Sequence, residues 1–152
     1  MGYKIHEEKD MDRDKIELVQ RSFAKLYPVA KTVDDVFYVR LHEMDPKLYP
    51  LLKAYMVAQN GRFTQILDLM ANGLARPEMT SLIADQLGRR HLCYGMKDEH
   101  YRALRKALLR TLALALGEEF TPEVKAAWGA AFDLFANLTK DAASAVSTAY
   151  CH

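Results

Sequence analysis

The residue in this sequence whose type and position could most readily do chemistry is His91. It closes an amphipathic segment over residues 77–91, in which Ile83 and Leu87 precede it at intervals of four. This spacing places the imidazole on the apolar stripe of a helix. Two interpretations are then open. The imidazole could ligate a metal carried by an apolar cofactor, or it could be a buried histidine bonded to a carbonyl group, and spacing alone favours the second.

Length and composition describe one domain with balanced charge. The chain has 152 residues, of which 50% are hydrophobic and 27% are charged, enough for one buried core. Its 21 lysines and arginines nearly balance its 20 aspartates and glutamates, so neither nucleic acid nor a membrane surface is an expected partner. We expect a single domain over residues 1–152, with a core at about 12–143, an extension at 1–11 and a tail at 144–152.

The cysteines and the apolar runs bear on the compartment. Cys93 and Cys151 are too few for a disulfide framework. The first ten residues contain no apolar run of signal-peptide length, and the most apolar run, residues 112–116, is far shorter than a bilayer span. These features predict a cytoplasmic protein.

Helical periodicity dominates the chain, and strand signals are almost absent. We expect helices at about 12–27, 30–44, 47–53, 57–74, 77–91, 98–116 and from 121 onward. The strongest start signal is Thr121-Pro122-Glu123, which combines a hydroxyl cap, a first-turn proline and an acid. Asp45-Pro46 is a similar signal for the short third helix. The predicted inward positions are Ile16, Val19, Phe23, Leu26, Val33, Phe37, Leu41, Met44, Phe63, Ile66, Leu67, Met70, Leu74, Tyr101, Leu104, Leu108, Leu112, Val124, Trp128, Phe135 and Leu138.

Three motifs in this all-α pattern carry a family resemblance. The most specific is L-G-R-R-H-L-C-Y-G over residues 87–95, with Tyr101 following ten residues after His91. The other two are F-Y-V-R-L over residues 37–41, followed by Asp45-Pro46, and A-A-W-G-A-A-F over residues 126–132. With the order of the helices, the chain resembles bacterial single-domain globins and the haem domain of flavohaemoglobins over about residues 14–142. The resemblance implies a globin fold of seven to eight helices around a haem pocket.

The resemblance implies a non-covalent b-type haem with His91 as the metal ligand. Neutral imidazole suits iron, and a single protein ligand leaves the opposite position open for dioxygen, nitric oxide or carbon monoxide. No C-x-x-C-H run is present, which argues against covalent haem attachment. On the opposite side the resemblance implies Tyr38 and Gln59 as donors of hydrogen bonds to the bound gas. The other cofactor-binding residues that it implies are Leu52, Arg62, Phe63, Leu87, Arg90, Met96, Tyr101 and Leu104.

The chain departs from the family pattern at three positions. Leu52 stands where a phenylalanine usually packs on the haem, and His42 stands one helical turn after Tyr38 where an aromatic residue is usual. His42 either reaches into the pocket or faces a neighbouring helix or solvent. Ala143 matches the glutamate of a His-Tyr-Glu network that raises the basicity of the imidazole in related proteins. Arg62, Arg90 and His100 either meet the haem propionates or are solvated charges.

Several functions follow from the resemblance. The leading hypothesis is a haem globin that reversibly binds diatomic gases and converts nitric oxide to nitrate, with peroxidase-like activity as a further enzymatic option. The sequence holds no G-x-G-x-x-G nucleotide motif, so turnover would need a separate reductase. The alternatives are an oxygen store or sensor without turnover and a haem-free signalling module of the globin fold. A homodimer is also left open.

Overall fold

The computed structural model describes residues 11–50, 63–76, 78–83, 85 and 97–144. Within these residues every regular element is helical, in agreement with the predicted all-α fold. The helices are α1 (Arg13–Leu26), α2 (Ala30–Met44), α3 (Phe63–Gly73), α4 (Asp98–Leu116) and α5 (Pro122–Ser144). Short 3₁₀ turns at Tyr27–Val29 and Gly117–Glu119 follow α1 and α4, and residues 48–50, 78–83 and 85 are also helical.

Side-chain caps begin three helices, two of them at the predicted residues Thr121 and Asp45. The side chain of Asp12 accepts a hydrogen bond from the N–H of Asp14 at 2.8 Å at the start of α1. Thr121 Oγ1 accepts from the N–H of Val124 at 3.2 Å at the start of α5. Asp45 Oδ1 accepts from the N–H of Leu48 at 3.1 Å. The short helix expected from residue 47 begins at residue 48, after a turn at residues 46–47.

The predicted inward positions build the core. All of them are buried except Ile16, Met44, Ile66 and Leu138, which are partly buried. Helix α1 packs against α5, α2 packs against α4, and α3 contacts both α1 and α2. Trp128 lies at 0% exposure in the α1–α5 contact, where its Nε1 donates to Ser22 Oγ at 2.8 Å. This bond joins residues 106 positions apart.

Two glycines stand where a side chain would be strained or crowded. Gly117 has φ 57°, a conformation that favours glycine, in the turn between α4 and α5. A Cβ at Gly129 would lie 2.6 Å from Arg105 Nη2, so its absence lets Arg105 reach Asp133, with Nε 2.9 Å from Oδ1. Helix α5 continues to Ser144. No helix in the described ranges is long and apolar enough to cross a membrane.

Candidate functional site

Tyr38 lies half-buried on α2, at the edge of the core. Its ring meets two aromatic rings edge-on, that of Phe37 at a centroid distance of 5.4 Å and that of Tyr49 at 6.2 Å. Burial, and then the charges of Asp34 and Tyr49, raise the pKa of Tyr38 to about 12. The phenol is therefore neutral at physiological pH and keeps its proton for donation.

The hydroxyl group of Tyr38 has no hydrogen-bond partner among the residues described here. Half-buried phenols normally find a partner, because an unpaired polar group away from water is costly. A molecule bound beside α2 could supply the missing acceptor. The predicted ligand-contacting role of Tyr38 requires such a hydroxyl group, with its proton available to a bound molecule.

The crossing of α2 and α3 is fixed by a ring stack and a polar contact. The rings of Phe37 and Phe63 stack at a centroid distance of 3.5 Å with an interplanar angle of 4°. Beside them, Asp34 Oδ1 accepts a hydrogen bond from the N–H of Thr64 at 2.8 Å. Asp34 Oδ2 lies 3.4 Å from Thr64 Oγ1, which can donate to it. Both Asp34 and Thr64 are 7% exposed, so the contact is withdrawn from solvent.

Sequence reasoning missed Asp34 and Thr64. The available signal was the position of Asp34, which precedes Phe37 by three residues, Tyr38 by four and Leu41 by seven. An acid at that register belongs to the inward stripe of a helix. A buried acid needs a partner, and the structure supplies the backbone and hydroxyl of Thr64.

His42 is exposed on α2. Its ring lies edge-on to that of Tyr49, at a centroid distance of 5.1 Å and an interplanar angle of 87°. This exposure agrees with the interpretation that His42 faces solvent. A contact between His42 and a bound ligand stays a prediction.

Tyr101 and Leu104 are buried near the start of α4, as predicted. Burial, and then the charge of Asp98, raise the pKa of Tyr101 to about 12. Lys140 of α5 places its Nζ 4.9 Å from the centroid of the Tyr101 ring and 3.3 Å from Asp98 Oδ1. Ala143, the position that matches the family's glutamate, is partly buried one turn further along α5. The ammonium group of Lys140 therefore lies over the ring of Tyr101.

His100 is engaged in the start of α4. Its Nδ1 accepts a hydrogen bond from the N–H of Lys97 at 2.9 Å, and its Nε2 lies 3.9 Å from Glu99 Oε1. Only Nε2 is therefore left to meet an anionic group such as a propionate.

Most of the predicted cofactor contacts lie outside the described residues. They are Leu52, Gln59, Arg62, Leu87, Arg90, His91 and Met96. Their roles stay predictions. The described site residues Tyr38, Phe63, Tyr101 and Leu104 come from three helices, among which α2 packs against both α3 and α4.

Comparison with known proteins gives one family and two groups of relatives. The family model described as Globin matches residues 52–138. An anaerobic nitrite reductase of Gossypium hirsutum is 33% identical over 123 residues, which cover 79% of this chain and 76% of that protein. A flavohemoprotein of Xylella fastidiosa is 30% identical over 132 residues, which cover 83% of this chain. A flavohemoprotein of Bacillus subtilis is 25% identical over 138 residues, or 86% of this chain. The matched regions span only 32% and 35% of these two flavohemoproteins.

Proposed function

This chain belongs to the globin family, and on that premise we propose that it binds haem b non-covalently and holds a diatomic gas at the haem iron. His91 is the proposed protein ligand of the iron, and it lies within the segment that the family model matches. The observation that carries the proposal is the Tyr38 hydroxyl. It is a protonated donor, half-buried beside the core, that finds no acceptor in the described part of the chain.

Two described residues support the proposal of a haem site. Phe63 and Leu104 are buried apolar side chains, at 8% and 9% exposure, and they come from α3 and α4, which both contact α2. Such side chains suit a porphyrin, whose large flat surface is best buried among apolar groups. When bound, the haem supplies an iron with one position open to a gas. Tyr38 would then donate to that gas, and Gln59 is proposed as a second donor.

The finer proposal is conversion of nitric oxide to nitrate. One dioxygen, one nitric oxide and one electron combine to give one nitrate ion, so a supply of electrons is needed for repeated turnover. The relatives named flavohemoproteins are longer than this chain, which spans 32% of one of them. We propose that a separate reductase supplies the electron, with reversible storage or sensing of dioxygen as the alternative without turnover.

Nitrite reduction is a second candidate, favoured by the plant relatives named anaerobic nitrite reductases. One nitrite ion, one electron and two protons give nitric oxide and water. This reaction needs two protons, and the phenol of Tyr38, whose pKa is raised to about 12, would hold nitrite by a hydrogen bond while the protons come from solvent. Production of nitric oxide from nitrite without dioxygen would favour this reaction over nitrate formation.

Absorption spectra of the full chain test haem binding. We expect a Soret band in the ferric, ferrous and carbon monoxide forms, and its loss or a large shift in His91→Ala, because the imidazole is the proposed iron ligand. His42→Ala is the matched control, since His42 is an exposed histidine, and it should leave the spectra unchanged. A chain without a Soret band after haem addition would instead support the haem-free signalling alternative.

Turnover separates the enzymatic proposals from storage. With a generic reductase and excess dioxygen, we expect several equivalents of nitrate per chain from added nitric oxide. A single stoichiometric event would favour storage or sensing. Peroxide-dependent oxidation of a dye would test the peroxidase-like option. The cytoplasmic location and the homodimer also stay predictions, and light scattering on the purified chain tests the latter.

A further inference from the structure

Asp34 is an acidic side chain in a place where acids are rarely found. Aspartate is almost never fully buried unless it is paired, yet Asp34 is only 7% exposed. Its Oδ1 accepts the N–H of Thr64 at 2.8 Å, and Oδ2 lies 3.4 Å from the Thr64 hydroxyl. Hydrogen bonds donated to both oxygens are the arrangement that favours an ionised carboxylate. The contact also holds the Asp34 carboxylate in place, because the backbone N–H that it accepts belongs to a second helix, α3.

This fixed charge is next to the candidate ligand donor. Asp34 and Tyr38 are four residues apart on α2, so their side chains are neighbours on one face of the helix. The stacked rings of Phe37 and Phe63, from the same two helices, are 0% and 8% exposed, so the crossing of α2 and α3 is withdrawn from solvent. The charge of Asp34 is also one of the causes of the raised pKa of Tyr38, which indicates that the two groups interact electrostatically.

We propose that Asp34 is a specificity-determining residue of the gas-binding pocket, a fixed negative charge that opposes the build-up of negative charge on the bound ligand. The inference rests on the proposed function. Tyr38 and Asp34 then act in opposite senses. The phenol stabilises a bound ligand that carries negative charge. The carboxylate one turn away repels the same charge and so reduces that stabilisation.

The consequence is discrimination between gases. Dioxygen held in a haem pocket carries partial negative charge, whereas carbon monoxide carries little. A nearby anion in a region shielded from water therefore weakens the binding of dioxygen more than the binding of carbon monoxide. Asp34 thereby lowers the affinity for dioxygen relative to carbon monoxide. Removing its charge should raise the affinity for dioxygen relative to carbon monoxide.

The test is Asp34→Asn in the haem-loaded chain. Asparagine has the same shape and keeps an oxygen that can accept the N–H of Thr64, so the main change is the loss of charge. We expect dioxygen release to slow by about three- to tenfold, while carbon monoxide release changes by less than about twofold, because a unit charge acts more strongly on the larger partial charge of dioxygen. The C–O stretching frequency of the carbon monoxide form should move to lower wavenumber.

Two control variants separate charge from structure. Thr64→Val removes the hydroxyl contact and keeps the charge of Asp34, so the ratio of the two release rates should stay at the wild-type value. Asp35→Asn removes a charge from an exposed neighbour on the same helix and should also leave the ratio unchanged. If Asp34→Asn does not fold, Asp34→Ser removes the charge, keeps a small acceptor and takes its place.

A readout on the haem-free chain keeps this proposal separate from the proposed function. In protein labelled with ¹³C at the tyrosine ring, the signal assigned by its absence in Tyr38→Phe should titrate at lower pH in Asp34→Asn. A wild-type chain that never gives a Soret band overturns both proposals. A wild-type chain that binds haem, with equal release ratios in wild type and Asp34→Asn, overturns the role of Asp34 alone, as does an equal shift caused by Thr64→Val.

Discussion

At the scale of single residues, Tyr38 is held by rings rather than by a polar partner. Phe37 and Tyr49 meet it edge-on, while its hydroxyl lacks a hydrogen bond from the described parts of the chain. Aromatic edges fix the direction of a phenol without using its proton. The side chain is therefore oriented before any ligand arrives, and little conformational freedom remains to be lost on binding.

Tyr38→Phe tests this role in the haem-loaded chain. Phenylalanine keeps the ring contacts and removes only the hydroxyl, so we expect dioxygen release to speed up by about 10- to 100-fold, the effect of losing a hydrogen bond to a charged group. Stopped-flow measurements of release would check it. Tyr27→Phe is the control, because Tyr27 is 67% exposed and is not a proposed ligand contact. An off-rate equal to that of wild type would show that Tyr38 does not contact the ligand.

Tyr38 and Asp34 show what the sequence predicts about single residues and what it does not. The motif and residue type of Tyr38 predict a ligand-contacting role, and its half-buried position is compatible with that role. The register of Asp34 indicates the inward side of α2 but does not name a partner. That partner, Thr64, comes from a helix 30 residues later. Partners that are distant in sequence leave no local trace in the residue they satisfy.

At the scale of elements, local chemistry was sufficient for most boundaries. Asp12, Thr121 and Asp45 begin helices because their side chains accept N–H groups that the first turn leaves unpaired. Local chemistry also explains why α5 continues to Ser144. Alanine has the highest helix propensity, and Ser144 Oγ donates to the carbonyl of Lys140 at 3.0 Å.

The contact between α1 and α5 gives a prediction for stability. Ser22→Ala removes the acceptor of the buried Trp128 Nε1, which lies at 0% exposure, so an unpaired donor is left in the core. We expect the free energy of unfolding to fall by about 1–3 kcal/mol, measured by urea denaturation in one fixed haem state.

Ser144→Ala is the matched control for that experiment. Its hydroxyl also donates to a backbone carbonyl but is exposed, so its loss should change stability by less than about 0.5 kcal/mol. Equal effects of Ser22→Ala and Ser144→Ala would mean that the Trp128 contact adds nothing to the packing of the two helices.

At the scale of the whole molecule, two phenols link stability to alkaline pH. Burial is the main cause that raises the pKa of Tyr38 and of Tyr101 to about 12, from the ordinary value of 10. Each folded-state pKa is higher than the unfolded one, so the unfolded chain loses these protons first. The stabilisation is complete below pH 10 and is lost as the pH rises toward about 12.

Urea denaturation over that pH range would measure the effect. We expect the free energy of unfolding to decline less steeply in Tyr38→Phe and in Tyr101→Phe than in the wild type, with the two changes nearly additive because the residues lie on different helices. Tyr27→Phe, at a 67% exposed position, should follow the wild-type curve. Parallel curves for all four proteins would remove the link between these phenols and stability.

The burial of Trp128 gives the protein a built-in optical signal. The chain contains a single tryptophan, so fluorescence excited at the long-wavelength edge of the absorption band, where tyrosines do not absorb, comes from one indole in the contact between α1 and α5. Water reaching that indole would shift the emission to longer wavelength. The colour of the emitted light therefore reports, without any attached dye, when α1 and α5 separate.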